Sequence, residues 1–270
     1  MNKKYLFLSE STLKIIAIIL MTIDHIALFL LPSNSDLQIA LRAIGRLSMP
    51  IFIFMNIEGI YHTRNIWKYF LRLFVLGTII DIVGIISKYG PGNILIDFSM
   101  YTIIFYFLKQ KNIKSLISIF PIAFLVLSDL QISVFGIQFF NSDYGTYGLI
   151  FALFIFLAKE ISFYVCKNQA NIMQIDQDYF LEEKLQGTYN VAASIAIFIA
   201  TALFYVIYRI DYTLLILPGT IAIQSWCFFS AVFILFYNGK RGYNKPWFKY
   251  GSYLYYPLHL LILYSIHLAI

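Results

Sequence analysis

Apolar residues run in long blocks along this chain and are broken by short polar punctuation, not by the two-residue alternation of a half-buried strand. The first block covers residues 13–31 and the second residues 37–60, with the turn-like Pro32-Ser33-Asn34-Ser35-Asp36 between them. Further blocks follow at residues 67–86, 94–108, 113–134, 147–166, 191–208, 214–237 and 251–269. A helix needs ~20 apolar residues to cross the hydrocarbon of a bilayer, so about nine spans are predicted. The block at 94–108 is short and contains Asp97, which leaves a tilted or re-entrant segment open. The expected fold class is all-α: a polytopic transmembrane helical bundle in which residues 1–270 form a single integral-membrane domain.

Composition sharpens this picture. With 60% hydrophobic and only 13% charged residues, the chain is far more apolar than a soluble domain. Its mean hydropathy is +0.75. The net charge of +6 reports topology, because the basic residues cluster in alternate loops. Lys3 and Lys4 precede the first block, Arg64 and Lys68 follow the second, and Lys109, Lys111 and Lys114 follow the fourth. Lys240, Arg241, Lys245 and Lys249 precede the last. These positions are expected on the cytoplasmic side of a bacterial inner membrane. Residues 32–36, 88–93, 129–146 and 209–212 are expected outside, and the N-terminal block is read as a retained span. No soluble basic domain supports nucleic-acid binding, so the lipid bilayer is the partner that the charge implies.

Ionisable residues inside apolar blocks are costly and usually serve a purpose. Asp24 and His25 lie within the first block; Arg46 and Glu58 lie within the second. In an antiparallel hairpin turning near Ser35 and Asp36, residues at equal depth have numbers that add to a constant. Asp24 or His25 then faces Arg46, and Lys14 faces Glu58. His62, Arg64, Lys68 and Arg72 follow on the basic side, where they could receive phosphates or merely mark topology. Near the other end of the chain, His259 stands beside Pro257, Tyr255 and Tyr256 and is a second candidate.

Other chemistries lack their signatures. The chain has no Gly-x-x-x-x-Gly-Lys loop, no His-Glu-x-x-His helix and no Cys-x-x-Cys pair. His259 and His267, eight residues apart, do not by themselves make a metal site, and none is expected. Cys166 and Cys227 read as packing residues, and the polar stretch 167–189 reads as a solvated loop with some helix.

Several segments resemble the TraX family. They are Leu13-Lys14-Ile15-Ile16-Ala17, Met21-Thr22-Ile23-Asp24-His25, Ile44-Gly45-Arg46-Leu47-Ser48-Met49-Pro50-Ile51-Phe52, Glu58-Gly59 and His62-Thr63-Arg64-Asn65. Asp143-Tyr144-Gly145-Thr146-Tyr147-Gly148 and Tyr255-Tyr256-Pro257-Leu258-His259-Leu260-Leu261 extend the likeness. The resemblance implies a membrane N-acetyltransferase that takes acetyl from acetyl-CoA as donor substrate, with no bound cofactor. The acceptor is an amine or hydroxyl: a pilin N-terminus by resemblance, with another protein N-terminus or a glycan also open. In a wider likeness to integral-membrane acyltransferases, an arginine precedes a functional histidine on the first core helix with ten residues between them; Lys14 and His25 have that spacing, with lysine in the arginine's place.

On this reading His25 is the general base, while Asp24 and Arg46 complete the catalytic set. Arg46 either pairs with Asp24 or stabilises the developing oxyanion. Lys14, Glu58, His62, Arg64, Arg72 and His259 are candidates for holding substrate or CoA. The alternative from another class is a transporter or assembly factor using Asp24, His25, Arg46 and Glu58 as a buried polar pathway.

Overall fold

The computed structural model describes residues 5–86, 92–130, 133–134, 137–138, 142–210 and 221–269. The expected turn at 88–93, much of the loop at 129–146, the turn at 209–212 and the start of the block at 214–237 fall wholly or partly outside the described residues. The protein is an all-α membrane bundle. Five helical stretches are long and apolar enough to cross a bilayer: Glu10–Leu30, Asp36–His62, Ile66–Ile86, Gly145–Met173 and Gln177–Ile210.

The helices are α1 (Glu10–Leu30), α2 (Asp36–Gly45), α3 (Ser48–His62), α4 (Ile66–Ile86), α5 (Ile94–Lys109), α6 (Ile119–Asp129), α7 (Gly145–Met173), α8 (Gln177–Ile210), α9 (Ile221–Gln224), α10 (Ser230–Leu235) and α11 (Pro246–Ala269). Two 3-10 turns, Ile113–Ser118 and Ser225–Phe229, lead into α6 and α10. A two-residue antiparallel pairing joins Ser133–Val134 to Ile137–Gln138.

Several boundaries differ from those expected. The second apolar block is two helices, because Pro50 has no N–H to give the carbonyl of Arg46 and so the ladder of α2 cannot run on into α3. The block at 113–134 is a 3-10 turn followed by the eleven-residue α6. The polar stretch 167–189 is not a loop: α7 runs to Met173 and α8 starts at Gln177. The reversal needs only Gln174, Ile175 and Asp176. Gln174 takes a positive φ of 55°, and the Asp176 carboxylate accepts from Tyr179 N at 2.8 Å. The hairpin is held by buried Cys166, Ala170 and Phe180, with Leu181 and Leu185 packed against them.

The chain forms two compact units, Met1–Phe52 with Leu157–Ile270, and Ile53–Phe156. In the first unit, α1 packs on both α2 and α11, and α8 packs on α10. The buried face of α8 carries Gly187, Ala193, Ala196 and Ala200, small residues that let helices approach closely where lipid removes the hydrophobic drive. Backbone bonds fasten the start of the chain to the segment after α10: Leu8 N donates to Phe236 O at 2.9 Å, Asn238 N to Leu8 O at 2.8 Å and Glu10 N to Lys240 O at 2.8 Å. Asn190 Nδ2 joins the same end of the unit by donating to Tyr237 O at 2.7 Å.

In the second unit, twelve of the sixteen residues of α5 are buried. Asn56 ties three helices through its Nδ2, which lies 3.0 Å from both Tyr69 Oη and Thr102 Oγ1. Asp97 is fully buried and accepts from Asp143 N at 3.1 Å, Tyr144 N at 3.0 Å and the Ser142 hydroxyl. Asp129 takes Thr146 N at 2.8 Å, together with that residue's hydroxyl. Two carboxylates thus satisfy N–H groups at the start of α7, where a helix has no carbonyl partners of its own.

Candidate functional site

The site begins with the α1–α2 hairpin. Ser35 caps α2 by accepting from Gln38 N, and buried Gln38 returns the tie by donating to Ala27 O at 3.2 Å. Gly45 then lies against the backbone of Asp24, where an added Cβ would sit 2.7 Å from Asp24 Cα and 2.8 Å from its N. Only glycine permits that approach.

The approach delivers two arginines to one carboxylate. Asp24 Oδ2 lies 3.5 Å from Arg46 Nη2, and Asp24 Oδ1 lies 3.5 Å from Arg42 Nε. Equal-depth arithmetic places Arg46 opposite this point, and the contact is present. Arg42 was not singled out from sequence, although it stands one turn before Arg46 on the same helix face. The three side chains are largely buried and together carry one positive charge in excess.

His25, next along α1, meets α11. The two helices run in the same direction: Lys14 Nζ lies 6.0 Å from the Phe248 ring, Thr22 bonds Tyr255, His25 bonds His259, and His267 bonds the carbonyl of Phe29. His25 Nδ1 and His259 Nε2 are 2.6 Å apart, and their rings stack at 4.9 Å with a 19° tilt. The far nitrogen of His259, Nδ1, donates to Tyr255 O at 2.9 Å. Tyr255 stacks its ring on His259 at 5.1 Å. Thr22 donates to Ile18 O, so it can accept from the Tyr255 hydroxyl 2.8 Å away.

The structure therefore gathers Asp24, His25, Arg46 and His259, adding Arg42, Tyr255 and Thr22. Of the remaining candidates, Lys14 belongs to the same unit as His25, and Glu58, His62, Arg64 and Arg72 belong to the second unit. Lys14 is eleven residues earlier on α1, about 16 Å at 1.5 Å per residue. Each member of the pair expected between Lys14 and Glu58 takes a partner one turn away on its own helix: Lys14 pairs with Glu10 at 3.4 Å, and Glu58 with His62 at 3.5 Å. Arg64 is exposed in the turn between α3 and α4, and Arg72 donates from Nε to Lys68 O at 2.9 Å. Among the described residues, no cluster of three or more His, Cys, Asp or Glu is arranged to hold a metal ion.

Fold and site define a multi-pass helical membrane protein with a polar centre built across α1, α2 and α11. The chain belongs to the TraX family, whose model matches residues 9–267 under the description "TraX protein". It is 28% identical over 266 residues, 95% of each chain, to a Dichelobacter nodosus protein named "Probable fimbrial assembly protein FimC, serogroup H1". It is also 29% identical over 152 residues, 56% of each chain, to an uncharacterized protein of Rickettsia prowazekii. No solved structure gives a significant match.

Proposed function

We propose that this protein is a membrane acetyltransferase that moves acetyl from acetyl-CoA to an amine or hydroxyl acceptor. The observation that carries the reading is the His25–His259 hydrogen bond beside the Asp24–Arg42–Arg46 cluster. A thioester is already activated, so the protein has to remove a proton from the acceptor and stabilise charge on the carbonyl oxygen. The acceptor nitrogen or oxygen forms the new bond to the acetyl carbon while His25 takes its proton. The carbon–sulfur bond breaks, and the CoA thiolate leaves with a proton returned from the imidazolium. The guanidiniums of Arg42 and Arg46 favour the anionic intermediate.

Acetyl-CoA enters from the cytoplasm of a bacterium, with the N-terminus of the chain on that side of the inner membrane. On this reading His62, Arg64, Lys68 and Arg72 supply charge for CoA phosphates, and Lys14 and Glu58 contribute to holding substrate or CoA. The acceptor class is a protein N-terminus, and the fimbrial name of the Dichelobacter relative makes a pilin the first acceptor to try. A glycan hydroxyl is the next. That same name speaks of assembly and not of acetylation, which favours one second reading: an assembly factor or transporter using Asp24, His25, Arg46 and Glu58 as a polar pathway.

Purified protein in bilayers, given acetyl-labelled acetyl-CoA and candidate acceptors, separates the two readings. Covalent label on the acceptor with stoichiometric release of CoA thiol is expected. Movement of solute without covalent change, or no thiol release with any amine or hydroxyl acceptor, would overturn the acetyltransferase reading.

A further inference from the structure

The hydrogen bonds around His259 have a fixed direction. A carbonyl oxygen can only accept, so the contact between His259 Nδ1 and Tyr255 O requires the proton on Nδ1. In the neutral ring, Nε2 of His259 then carries a lone pair. The 2.6 Å contact with His25 can only be made if His25 places its own proton on Nδ1. That leaves the lone pair of His25 on Nε2, for which no hydrogen-bond partner is present among the described residues.

We propose that His259 is a positioning residue that, through Tyr255 O, fixes the tautomer of His25 and so presents Nε2 as the proton acceptor. The inference rests on the reading of His25 as general base, but it makes a claim about the resting protein that does not need turnover. Neutral histidine left to water prefers its proton on Nε2, which would put the proton on the nitrogen that must accept one. The chain Tyr255 O, His259, His25 reverses that preference, as an outer partner orients and sets the protonated nitrogen of an inner imidazole. The stacked rings of Tyr255 and His259 and the bond from Tyr255 to Thr22 hold the arrangement against rotation.

Ring nitrogen-15 spectra of the histidine-labelled full-length protein in bilayers, near pH 8, test the assignment; His25→Gln identifies its signals among those of the four histidines. Wild type should show His25 protonated on Nδ1 and bare on Nε2. His259→Phe keeps a ring for Tyr255 to stack on but removes the acceptor, and should move the proton to Nε2. His259→Gln restores an acceptor and should return it to Nδ1. A wild-type His25 protonated on Nε2 overturns the proposal without any variant, as does an unchanged tautomer in His259→Phe.

In acetyl transfer, His259→Phe should lower kcat on the order of 10- to 100-fold with KM for acetyl-CoA nearly unchanged, and His259→Gln should recover much of it. An equal loss in both variants while the spectra shift as stated would overturn the positioning role. A wild type that shows the stated tautomer yet transfers no acetyl would remove the reading of His25 as base and leave the tautomer assignment standing.

Discussion

Asp24 is one carboxylate against two guanidiniums, and the imbalance sets what each substitution does. Asp24→Asn takes away the carboxylate that both Arg42 and Arg46 contact, and breaking a buried pair in this way costs about 3–5 kcal/mol. Arg46→Gln leaves Asp24 still paired with Arg42 and should cost clearly less. Thermal unfolding in detergent checks the order, and a larger loss for Arg46→Gln than for Asp24→Asn would show that Arg42 does not share the load. His25→Ala should insert normally, bind acetyl-CoA and lose transfer by roughly 100-fold or more, the scale of a removed general base. Near-normal turnover in a folded His25→Ala protein would falsify that role. The Asp24–Arg46 contact was legible because a five-residue turn fixes depth along both arms of a hairpin. Arg42 is equally legible, since it stands one helical turn before Arg46. The meeting of His25 with His259 had no local signal, since 234 residues separate them.

Between helices, two glycines make opposite forecasts. Gly45→Ala would drive a methyl into the Asp24 backbone and should cost about 1–3 kcal/mol, the usual scale of overpacking, while also parting the arginines from their carboxylate. Gly251 in α11 has open space where its Cβ would stand, so Gly251→Ala should stabilise by up to about 1 kcal/mol through helix propensity alone. A neutral Gly45→Ala in the same melting assay would count against the close approach of α1 and α2. Asp97→Ala should cost about 1–3 kcal/mol, because it removes the carboxylate that accepts from Asp143 N and Tyr144 N. Among the described residues, apolar block length located the five stretches able to cross a bilayer, while four of the expected nine blocks are not among them and the ends of elements escaped it. Pro50 stops α2 five residues before its own position, and Asp176 caps a turn within polar sequence that otherwise favours helix.

At the scale of the whole molecule, sidedness is constrained by bonds as well as by charge. The strand-like start of the chain bonds residues 236–240, so Tyr5 and Asn244 should lie on one face of the membrane, with Ser35 on the other. Single cysteines at these three positions, probed with an impermeant thiol reagent on intact cells, give the answer. The background is low because Cys166 and Cys227 are fully buried. Labelling of Ser35→Cys alone is expected; labelling of Asn244→Cys from outside would invert the topology and the proposed entry of acetyl-CoA.

The partnership of α1 with α11 means that the polar centre cannot be completed until α11 has been synthesised. At roughly 5–20 residues per second, His25 waits on the order of 10 to 50 s for its partner to be synthesised. A chain stopped after Asn244 would still contain its early spans, yet hold Asp24 and its arginines beside a histidine with nothing to bond. Synthesis arrested late should thus yield a membrane-embedded but inert protein, and supplying residues 246–270 separately should restore activity if α11 can dock after the fact.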